Sequence, residues 1–428
     1  MLAPSPIIDE QSIVAGLTED PLSFTVNQFK LLGDFFSLKI KETDITFVND
    51  PIAIESIFSD GENFKKKKND SEEQQYLGMM SGICAMFTPD QVEHYTQCMS
   101  DAAARSIDRL KNLPPNTEID IFHEMMRLTL EIEIETLYSV TLSDLFSDYP
   151  DLDLDNVCRD FMAADRVYGF DPVYTGLGEY LPPFTPLPGS ASAKSNLLSF
   201  VANVLKTFKK HPKEKTLMDY LVNNMPEDQA IETALVILGA HHEVAAPAIS
   251  RAWQLLSENS DVELKLSSEL SNVLGGRPAT QNDLPKLKYT SMVMCEVRRL
   301  YPCVWMVMRW SREERQINNY SIPKDSVVLM SQWVSHHDSR YFPDPLSFIP
   351  ERWSDDSIQG FTGVPYFPFS KGIRSCAGEQ FAEFQDTLIL STMAQHIKFL
   401  IANNQDLSPL ARRSNAPQNG ILGKVVMK

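Results

Sequence analysis

The chain has 428 residues, 43% hydrophobic and 22% charged, a composition typical of a soluble globular protein with a large core. Asp and Glu total 57 against 39 Lys and Arg, and the resulting net charge of −18 argues against nucleic acid as a partner. The length by itself suggests two or more domains.

The N-terminus and the cysteines indicate the compartment. The first ten residues contain acidic and polar residues and no basic region, and no apolar run of roughly 18 residues that could span a bilayer occurs in the chain. We therefore expect a soluble protein without a membrane anchor. The six cysteines are scattered without a CxxC pair, which is typical of reduced thiols in a cytoplasmic protein.

The first half of the chain predicts one short strand and then mainly helices. Alternating apolar and polar residues over Ile40–Val48 predict a strand of a small sheet. The methionine-rich stretch Leu77–Phe87 is expected to be an apolar loop. Apolar periodicity predicts helices over Asp101–Leu113 and Ile119–Leu145. Tyr168–Pro188 is rich in proline, glycine and aromatic residues and is expected to be a long loop of the kind that forms lids.

A long helix is predicted to begin at Pro226, where proline and acidic residues form a typical first turn. Its apolar middle contains His241, His242, Glu243 and Pro247. So many residues that disturb an apolar helix, placed together, are typical of a functional kink. Adjacent residues lie about 100° apart on a helix, so we expect at most one of the two histidines to face the functional side of the helix. Both could also be ordinary helix residues with satisfied hydrogen bonds.

A second informative helix is predicted within Leu284–Pro302. Glu296 and Arg299 are three residues apart and can pair on one face. Such a pair on a surface would contribute little, but the apolar setting and the later Arg352 favour a buried network. The extended apolar run Cys303–Arg309 follows, which is typical of a core strand ending in a cation.

The stretch Phe369-Ser-Lys-Gly372-Ile-Arg374-Ser-Cys376-Ala-Gly378 has the composition of a metal-ligand loop. The glycines let backbone N–H groups approach the Cys376 sulfur, and the helix that follows favours a thiolate at its N-terminus. The Phe369 ring could cover the sulfur, and the Arg374 guanidinium could bind a carboxylate. The alternative is that Cys376 is a small buried hydrophobic residue in a glycine loop.

This stretch resembles the heme-binding signature of the cytochrome P450 superfamily, Phe-x-x-Gly-x-Arg-x-Cys-x-Gly, at every fixed position. Glu296 and Arg299 are similar to the family's Glu-x-x-Arg helix, and Arg352 ends a similar Pro-Glu-Arg segment. The segment around Glu243 is similar to the distal motif Ala-Gly-x-(Asp or Glu)-Thr. With the motifs in the family's order, the chain resembles a soluble, bacterial-type member. The resemblance implies a mainly α fold with small β-sheets, the cytochrome P450 fold, in one heme-thiolate domain over residues 1–428.

The resemblance also implies a role for each matched residue. Cys376 would be the iron ligand, and the cofactor would be heme b, iron protoporphyrin IX. The heme contacts it implies, besides the cysteine, are His94, Arg309, Phe369, Gly372, Arg374 and Gly378. An arginine is expected four residues after His94, but this chain has Cys98 there. Glu296, Arg299 and Arg352 would form a buried triad that fixes the cysteine loop.

The distal helix departs from the family's motif at two positions. His241 stands where glycine is usual, and Val244 stands where threonine is usual. In the family the acid and the hydroxyl position water that delivers protons to oxygen, and valine has no proton to give. We therefore interpret Glu243, His241 and Val244 as the catalytic positions, with His241 or Glu243 facing the iron in preference to His242.

The function implied is that of a monooxygenase that inserts one oxygen atom from dioxygen into an apolar small organic substrate, in specialised metabolism. Electrons would come from a separate ferredoxin or flavodoxin and a reductase. Because of Val244, one alternative is a heme-thiolate enzyme of rearrangement, dehydration or peroxide-driven oxidation. A second alternative is a heme sensor or carrier without catalysis.

Overall fold

The structure is a computed structural model that describes residues 9–164, 189–354, 365–411, 415–417 and 419–428. The expected loop Tyr168–Pro188 lies outside the described residues. Helices dominate the described part, and the strands form small sheets, which confirms the expected fold class. That the whole chain is one domain stays a prediction.

Most of the α-helices share the largest of three hydrophobic cores, and the first three helices pack in the other two. Their bounds are α1 (Glu10–Glu19), α2 (Pro21–Leu32), α3 (Pro51–Ser59), α4 (Asp70–Cys84), α5 (Pro89–Lys111), α6 (Ile121–Glu135), α7 (Leu142–Asp148), α8 (Leu154–Ala163), α9 (Ser190–Lys210), α10 (Leu217–Asn224), α11 (Glu227–Glu258), α12 (Ser260–Val273), α13 (Lys288–Leu300), α14 (Gln332–His336) and α15 (Glu379–Met393).

The strands form one five-stranded sheet and three smaller ones. Their bounds are β1 (Phe35–Ile40), β2 (Thr43–Val48), β3 (Phe64–Lys65), β4 (Glu118–Asp120), β5 (Val307–Ser311), β6 (Arg315–Ile317), β7 (Tyr320–Ile322), β8 (Val327–Met330), β9 (Ile397–Ile401), β10 (Pro409–Leu410), β11 (Ala416–Pro417) and β12 (Leu422–Met427). The largest sheet has the order β1-β2-β8-β5-β3, with β2 and β8 parallel and the other pairs antiparallel. A three-stranded sheet has the order β4-β12-β9, and β6-β7 and β10-β11 are two-stranded.

Side-chain caps explain where several helices begin. Aspartate, asparagine or threonine oxygens accept hydrogen bonds from the free N–H groups of the first turn, as Asn69 does at α4 and Asp120 does at α6. The cap at Asn69 and the acidic residues Asp70, Glu72 and Glu73 start α4 ahead of the methionine-rich stretch.

The expected loop over Leu77–Phe87 is therefore wrong. This segment continues α4 to Cys84 and then forms a 3-10 turn over Ala85–Phe87. The strand expected over Ile40–Val48 is instead a hairpin, because Lys41, with φ of 53°, starts a turn between β1 and β2.

The helix α11 runs through the centre of the helical core and organises it. It packs along α6, and the Tyr138 hydroxyl just beyond α6 donates to the Ala234 carbonyl at 2.7 Å. Pro247 lies inside α11, and the helix continues without a break to Glu258. Within the described ranges, no helix combines the length and the apolar character that crossing a membrane requires.

Candidate functional site

The backbone of the cysteine loop is fixed by local hydrogen bonds. The loop, Phe369–Gly378, contains a 3-10 turn over Gly372–Arg374 and leads directly into α15. The Cys376 N–H donates to the Phe369 carbonyl at 2.9 Å, and the Ser375 N–H donates to the Gly372 carbonyl at 3.0 Å. The sequence prediction of a tight loop before a helix therefore matches the backbone observed.

Gly372 is the residue in this loop that no other amino acid could replace without strain. Its φ is +71°, and a Cβ atom added there would lie 2.2 Å from the Phe58 carbonyl oxygen. We expect Gly372→Ala to lower the free energy of unfolding by about 2 kcal/mol or more, since strain and a backbone clash add. Chemical denaturation and heme retention measure this effect.

Gly276 provides a matched control for that substitution. Its φ is +91°, and an added Cβ would have no atom within 4 Å. Gly276→Ala therefore isolates the strain of a positive φ, which costs about 1 to 2 kcal/mol. Equal losses for both variants would contradict the role assigned to the close approach of Phe58.

The Cys376 sulfur lies among protein atoms but remains reachable. Cys376 is a free thiol and is exposed. Desolvation by the surrounding protein raises its pKa, while the Gly378 N–H, which donates to the sulfur, and the nearby Lys66 act in the opposite direction. The same groups would stabilise a thiolate bound to a metal.

The cysteine loop involves two buried arginines: Arg374 lies within it, and Arg309 is bonded to its residue Ser370. Arg374 donates to the Glu73 carboxylate and to the Gly61 carbonyl, the latter at 2.8 Å. Arg309 is only 3% exposed and donates to the Met308 carbonyl at 2.8 Å and to the Ser370 hydroxyl at 3.0 Å. Burial, and then repulsion from Arg374, lower the pKa of Arg309 to about 10.

Arg309 is the observation that tests whether the site fits a heme. Among the residues that the structure describes, no carboxylate is hydrogen-bonded to its guanidinium. A buried cation without an anion is costly, so the position suits a carboxylate from a bound group. With a cysteine on the same loop as its partner Ser370, the residues fit the thiolate ligand and one propionate of a heme.

We expect Arg309→Met to separate heme binding from folding. Removing an unpaired buried charge should leave the stability of the heme-free protein unchanged or higher. Losing a charge-assisted hydrogen bond to a propionate should weaken heme retention by about 10- to 100-fold. Heme transfer to an acceptor protein measures retention, and denaturation measures stability.

The control for Arg309 is Arg315→Met. Arg315 is bound at the surface to Asp60 and Glu313, so its loss should not change heme retention. Unchanged heme retention in Arg309→Met would contradict the propionate role.

Phe369 is the first residue of the cysteine loop, whereas His94 lies on α5. Phe369 is half-buried beneath the guanidinium of Arg298, which lies 5.3 Å from its ring centroid. His94 is exposed and lines a cavity of about 440 Å³. The neighbouring Tyr95 packs on Phe381 of α15, with ring centroids 5.8 Å apart. The heme contacts of His94 and Phe369 stay predictions.

Among the helices that the structure describes, none covers one face of α11. Val236 is 39% exposed, Ala240 is exposed, and Val244 is half-buried, at a spacing of four residues. Residues at this spacing share one side of a helix. The uncovered side is apolar and small, as a helix that faces a flat ring and an apolar substrate requires.

The two histidines of α11 are turned toward α6. The His241 Nδ1 atom lies 2.7 Å from a Glu133 oxygen, and its Nε2 atom lies 3.0 Å from the Gln385 Oε1 atom of α15. The His242 Nδ1 atom lies 3.0 Å from the Thr129 hydroxyl. Glu243 is 8% exposed. The structure therefore brings His241 together with α6 and α15, and the catalytic roles of Glu243, His241 and Val244 stay predictions.

A thiol contacts the helix at its proline. The Cys303 sulfur lies 3.0 Å from the Val244 carbonyl oxygen. Burial raises the pKa of this thiol to about 12, so it is protonated and donates the hydrogen bond. Cys303 lies three residues beyond the end of α13, so it ties the scaffold helix to the turn of α11 that contains Val244.

The scaffold motifs meet on one fully buried carboxylate. Glu296 accepts from the Arg299 guanidinium at 2.8 and 2.9 Å and from Arg352 at 3.2 Å. It also accepts from the Trp353 indole at 2.9 Å and from the Ile349 N–H at 3.1 Å. The geometry is that of the triad the sequence predicts, with two additional donors.

Sequence reasoning missed the partners of His241. Glu133 is 0% exposed, in the last turn of α6, and Gln385 is also 0% exposed. A signal was present for Glu133, because acidic residues alternate with apolar ones over Leu130–Glu135. That spacing turns Glu133 away from Glu131, onto the face that packs on α11.

Comparison with known proteins places these observations in a family. The family model described as Cytochrome P450 matches residues 10–422. The human protein named Cytochrome P450 4V2 is 33% identical over 238 residues, which are 54% of this chain and 43% of that protein. The chain therefore spans less than half the length of this relative.

Two bacterial relatives match over longer segments. Cyclooctat-9-en-7-ol 5-monooxygenase from Streptomyces melanosporofaciens is 26% identical over 322 residues, 72% of this chain and 67% of the relative. Pentalenene oxygenase from Streptomyces avermitilis is 24% identical over 342 residues, 76% of this chain and 72% of the relative.

Proposed function

The chain belongs to the cytochrome P450 family, and we propose that it is a heme-thiolate monooxygenase that inserts one oxygen atom of dioxygen into an apolar small organic molecule. The observation that carries the proposal is the free Cys376 in its glycine loop beside Arg309, a buried cation without a carboxylate partner among the described residues. The relatives named for the oxygenation of cyclooctat-9-en-7-ol and pentalenene support an organic substrate.

Each residue of the site has a proposed task toward a heme b cofactor. Cys376 holds the iron, and the Gly378 N–H tunes its sulfur. Arg309 is proposed to bind one propionate. Arg374, which donates to Glu73 and to the Gly61 carbonyl in the structure, is proposed to exchange the Glu73 contact for the other propionate, and His94 is a third contact. The bound heme supplies the iron chemistry that activates oxygen. Phe369 covers the sulfur, and the apolar face of α11 excludes water and orients the substrate.

Glu243 and His241 are proposed to hold protons on the distal side. Val244 has no hydroxyl, so it contributes shape and not a proton. Electrons are proposed to come from a separate ferredoxin or flavodoxin and its reductase, in the cytoplasm.

Val244 also favours a second candidate function. A heme-thiolate site without a distal hydroxyl suits rearrangement, dehydration or peroxide-driven oxidation, none of which needs dioxygen to be cleaved by delivered protons. These reactions require no electron donor, which makes them experimentally distinct.

The test compares turnover with different oxidants. Apolar compounds that change the heme absorption spectrum on binding are incubated with NADPH, a surrogate ferredoxin and its reductase, with peroxide alone, or with no oxidant. We expect product only with the electron source, carrying one atom of labelled dioxygen. Turnover without an electron source would contradict the monooxygenase proposal and favour the second candidate.

A further inference from the structure

The His241 imidazole is held between two acceptors. Its Nδ1 atom lies 2.7 Å from the Glu133 Oε2 atom, and its Nε2 atom lies 3.0 Å from the Gln385 Oε1 atom. Phe381 packs edge-on against the ring, with centroids 5.1 Å apart. The three polar side chains come from α11, α6 and α15, so the ring lies at the junction of three helices.

With the Gln385 oxygen facing the ring, as in the structure, the contacts of His241 require a specific number of protons. The Nε2 atom must carry a hydrogen to donate to an amide oxygen. The contact with Glu133 then needs a second proton, which resides either on Nδ1, giving an imidazolium beside a carboxylate, or on Glu133. In both arrangements His241 and Glu133 together hold one proton more than a neutral imidazole and a carboxylate.

The surroundings allow this extra proton to be lost. Glu133 is fully buried, and burial raises its pKa to about 7 although His241 lowers it. The His241 side chain is 11% exposed, so the ring reaches water although its partner does not. Among the described residues, the Nε2 atom of Gln385 has no hydrogen-bond partner, so the bond from His241 to its Oε1 atom is what holds the amide in place.

The neighbouring charged groups are engaged elsewhere. On α15, Asp386 is paired with Arg298 of α13, and His242 is bonded to Thr129. Beyond α6, the Tyr138 hydroxyl donates to a carbonyl. The other carboxylates of α6 face away and bind arginines, in the pairs Glu124–Arg109, Glu131–Arg105, Glu131–Arg109, Glu131–Arg127 and Glu135–Arg105.

We propose that Glu133, His241 and Gln385 form a proton store at the distal helix, which takes up and releases one proton while both ring nitrogens of His241 keep a hydrogen-bond partner. In the loaded state both imidazole nitrogens donate, to Glu133 and to the Gln385 oxygen. On release, the Nε2 proton passes to water at the exposed edge of the ring. Gln385 then turns its amide and donates to the vacated nitrogen, while Nδ1–H stays on Glu133.

The store would supply the proton that Val244 cannot relay. His241 lies three residues before Val244 and one after Ala240, whose side chains belong to the uncovered face of α11. This role rests on the proposed function, whereas the proton store itself does not. Glu133 is then a positioning residue that acts through His241.

The experiment follows the ring nitrogens of histidine in the full chain. Nitrogen-15 spectra of histidine-labelled protein are recorded against pH with reduced, carbon monoxide-bound heme, and His241→Gly assigns the signal. We expect the histidine signal to report the uptake of one proton by the Glu133–His241 pair within about one unit of pH 7, because burial raises the pKa of Glu133 to about 7. Glu133→Gln removes the anion and should lower that midpoint by about one unit or more, a tenfold change in proton affinity. The carbon monoxide stretch should shift at the same midpoint.

Thr129→Val is the matched control, because it removes the hydroxyl bonded to the neighbouring His242. It should leave the His241 midpoint in place. An unchanged midpoint in Glu133→Gln, or a carbon monoxide stretch that does not follow the titration, would overturn the proposal. If the reduced spectrum shows no thiolate-ligated heme, the proposed function fails, while the histidine titration still reports on the store.

Discussion

Replacing Cys376 by alanine is expected to abolish thiolate-ligated heme completely. The loop presents one sulfur, which the Gly378 N–H approaches, and the 3-10 turn at Gly372–Arg374 holds the backbone around it. Without the thiolate, Arg309 and Arg374 can still attract a propionate, but the iron has no protein ligand on this side. We expect either heme-free protein or bound heme whose reduced carbon monoxide spectrum lacks the thiolate-specific band.

Cys84 offers a matched control for this substitution. It is also a free, exposed thiol, and it lies close enough to influence the pKa of Cys376. Cys84→Ser should keep both the heme content and the band of the unmodified protein. A thiolate band that survives in Cys376→Ala, or disappears in Cys84→Ser, would show that the iron ligand has been assigned to the wrong sulfur.

Replacing Glu296 by glutamine is expected to have the largest effect on stability. Glu296 and Arg299 are both 0% exposed, and the carboxylate also accepts hydrogen bonds from Arg352 and Trp353. Glutamine keeps the size but leaves the arginine without its charge partner. Breaking a buried pair in this way costs about 3 to 5 kcal/mol. Denaturant titration should therefore show a much lower midpoint, or the protein should fail to fold with heme.

The control is an ion pair of the ordinary surface type. Lys265 lies 2.6 Å from Glu351, with the two side chains 51% and 43% exposed. Lys265→Ala should change the free energy of unfolding by less than about 1 kcal/mol. A loss in Glu296→Gln no larger than this would mean that the network does not fix the fold around the cysteine loop.

The parts of the site that could be predicted from the sequence depend on local patterns. The glycines around Cys376 fix the backbone of one short loop, and Glu296 and Arg299 share a helix face at a spacing of three residues. The family resemblance added Arg352, which lies 56 residues from Glu296 along the chain. The mainly α fold was also implied by the family resemblance, and the apolar periodicity of the predicted helices agrees with it.

Other features depend on contacts that the sequence does not encode locally. Glu133 and Gln385 lie 108 and 144 residues from His241, so no spacing rule connects them. The methionine-rich stretch Leu77–Phe87 predicts a loop where α4 forms, because the residue that caps this helix, Asn69, stands eight residues before that stretch. The unpaired state of Arg309 becomes visible only once its neighbours are placed.

The measurement that tests the central claim most directly is the carbon monoxide difference spectrum of the reduced, purified protein. The structure puts a free thiol, a glycine N–H and a buried arginine around the same loop, and no carboxylate among the described residues pairs with that arginine. We predict the absorption band of a thiolate-ligated heme, at a yield of about one heme per chain. A protein that takes up heme but shows only the band of a histidine-ligated or unligated iron would contradict the account.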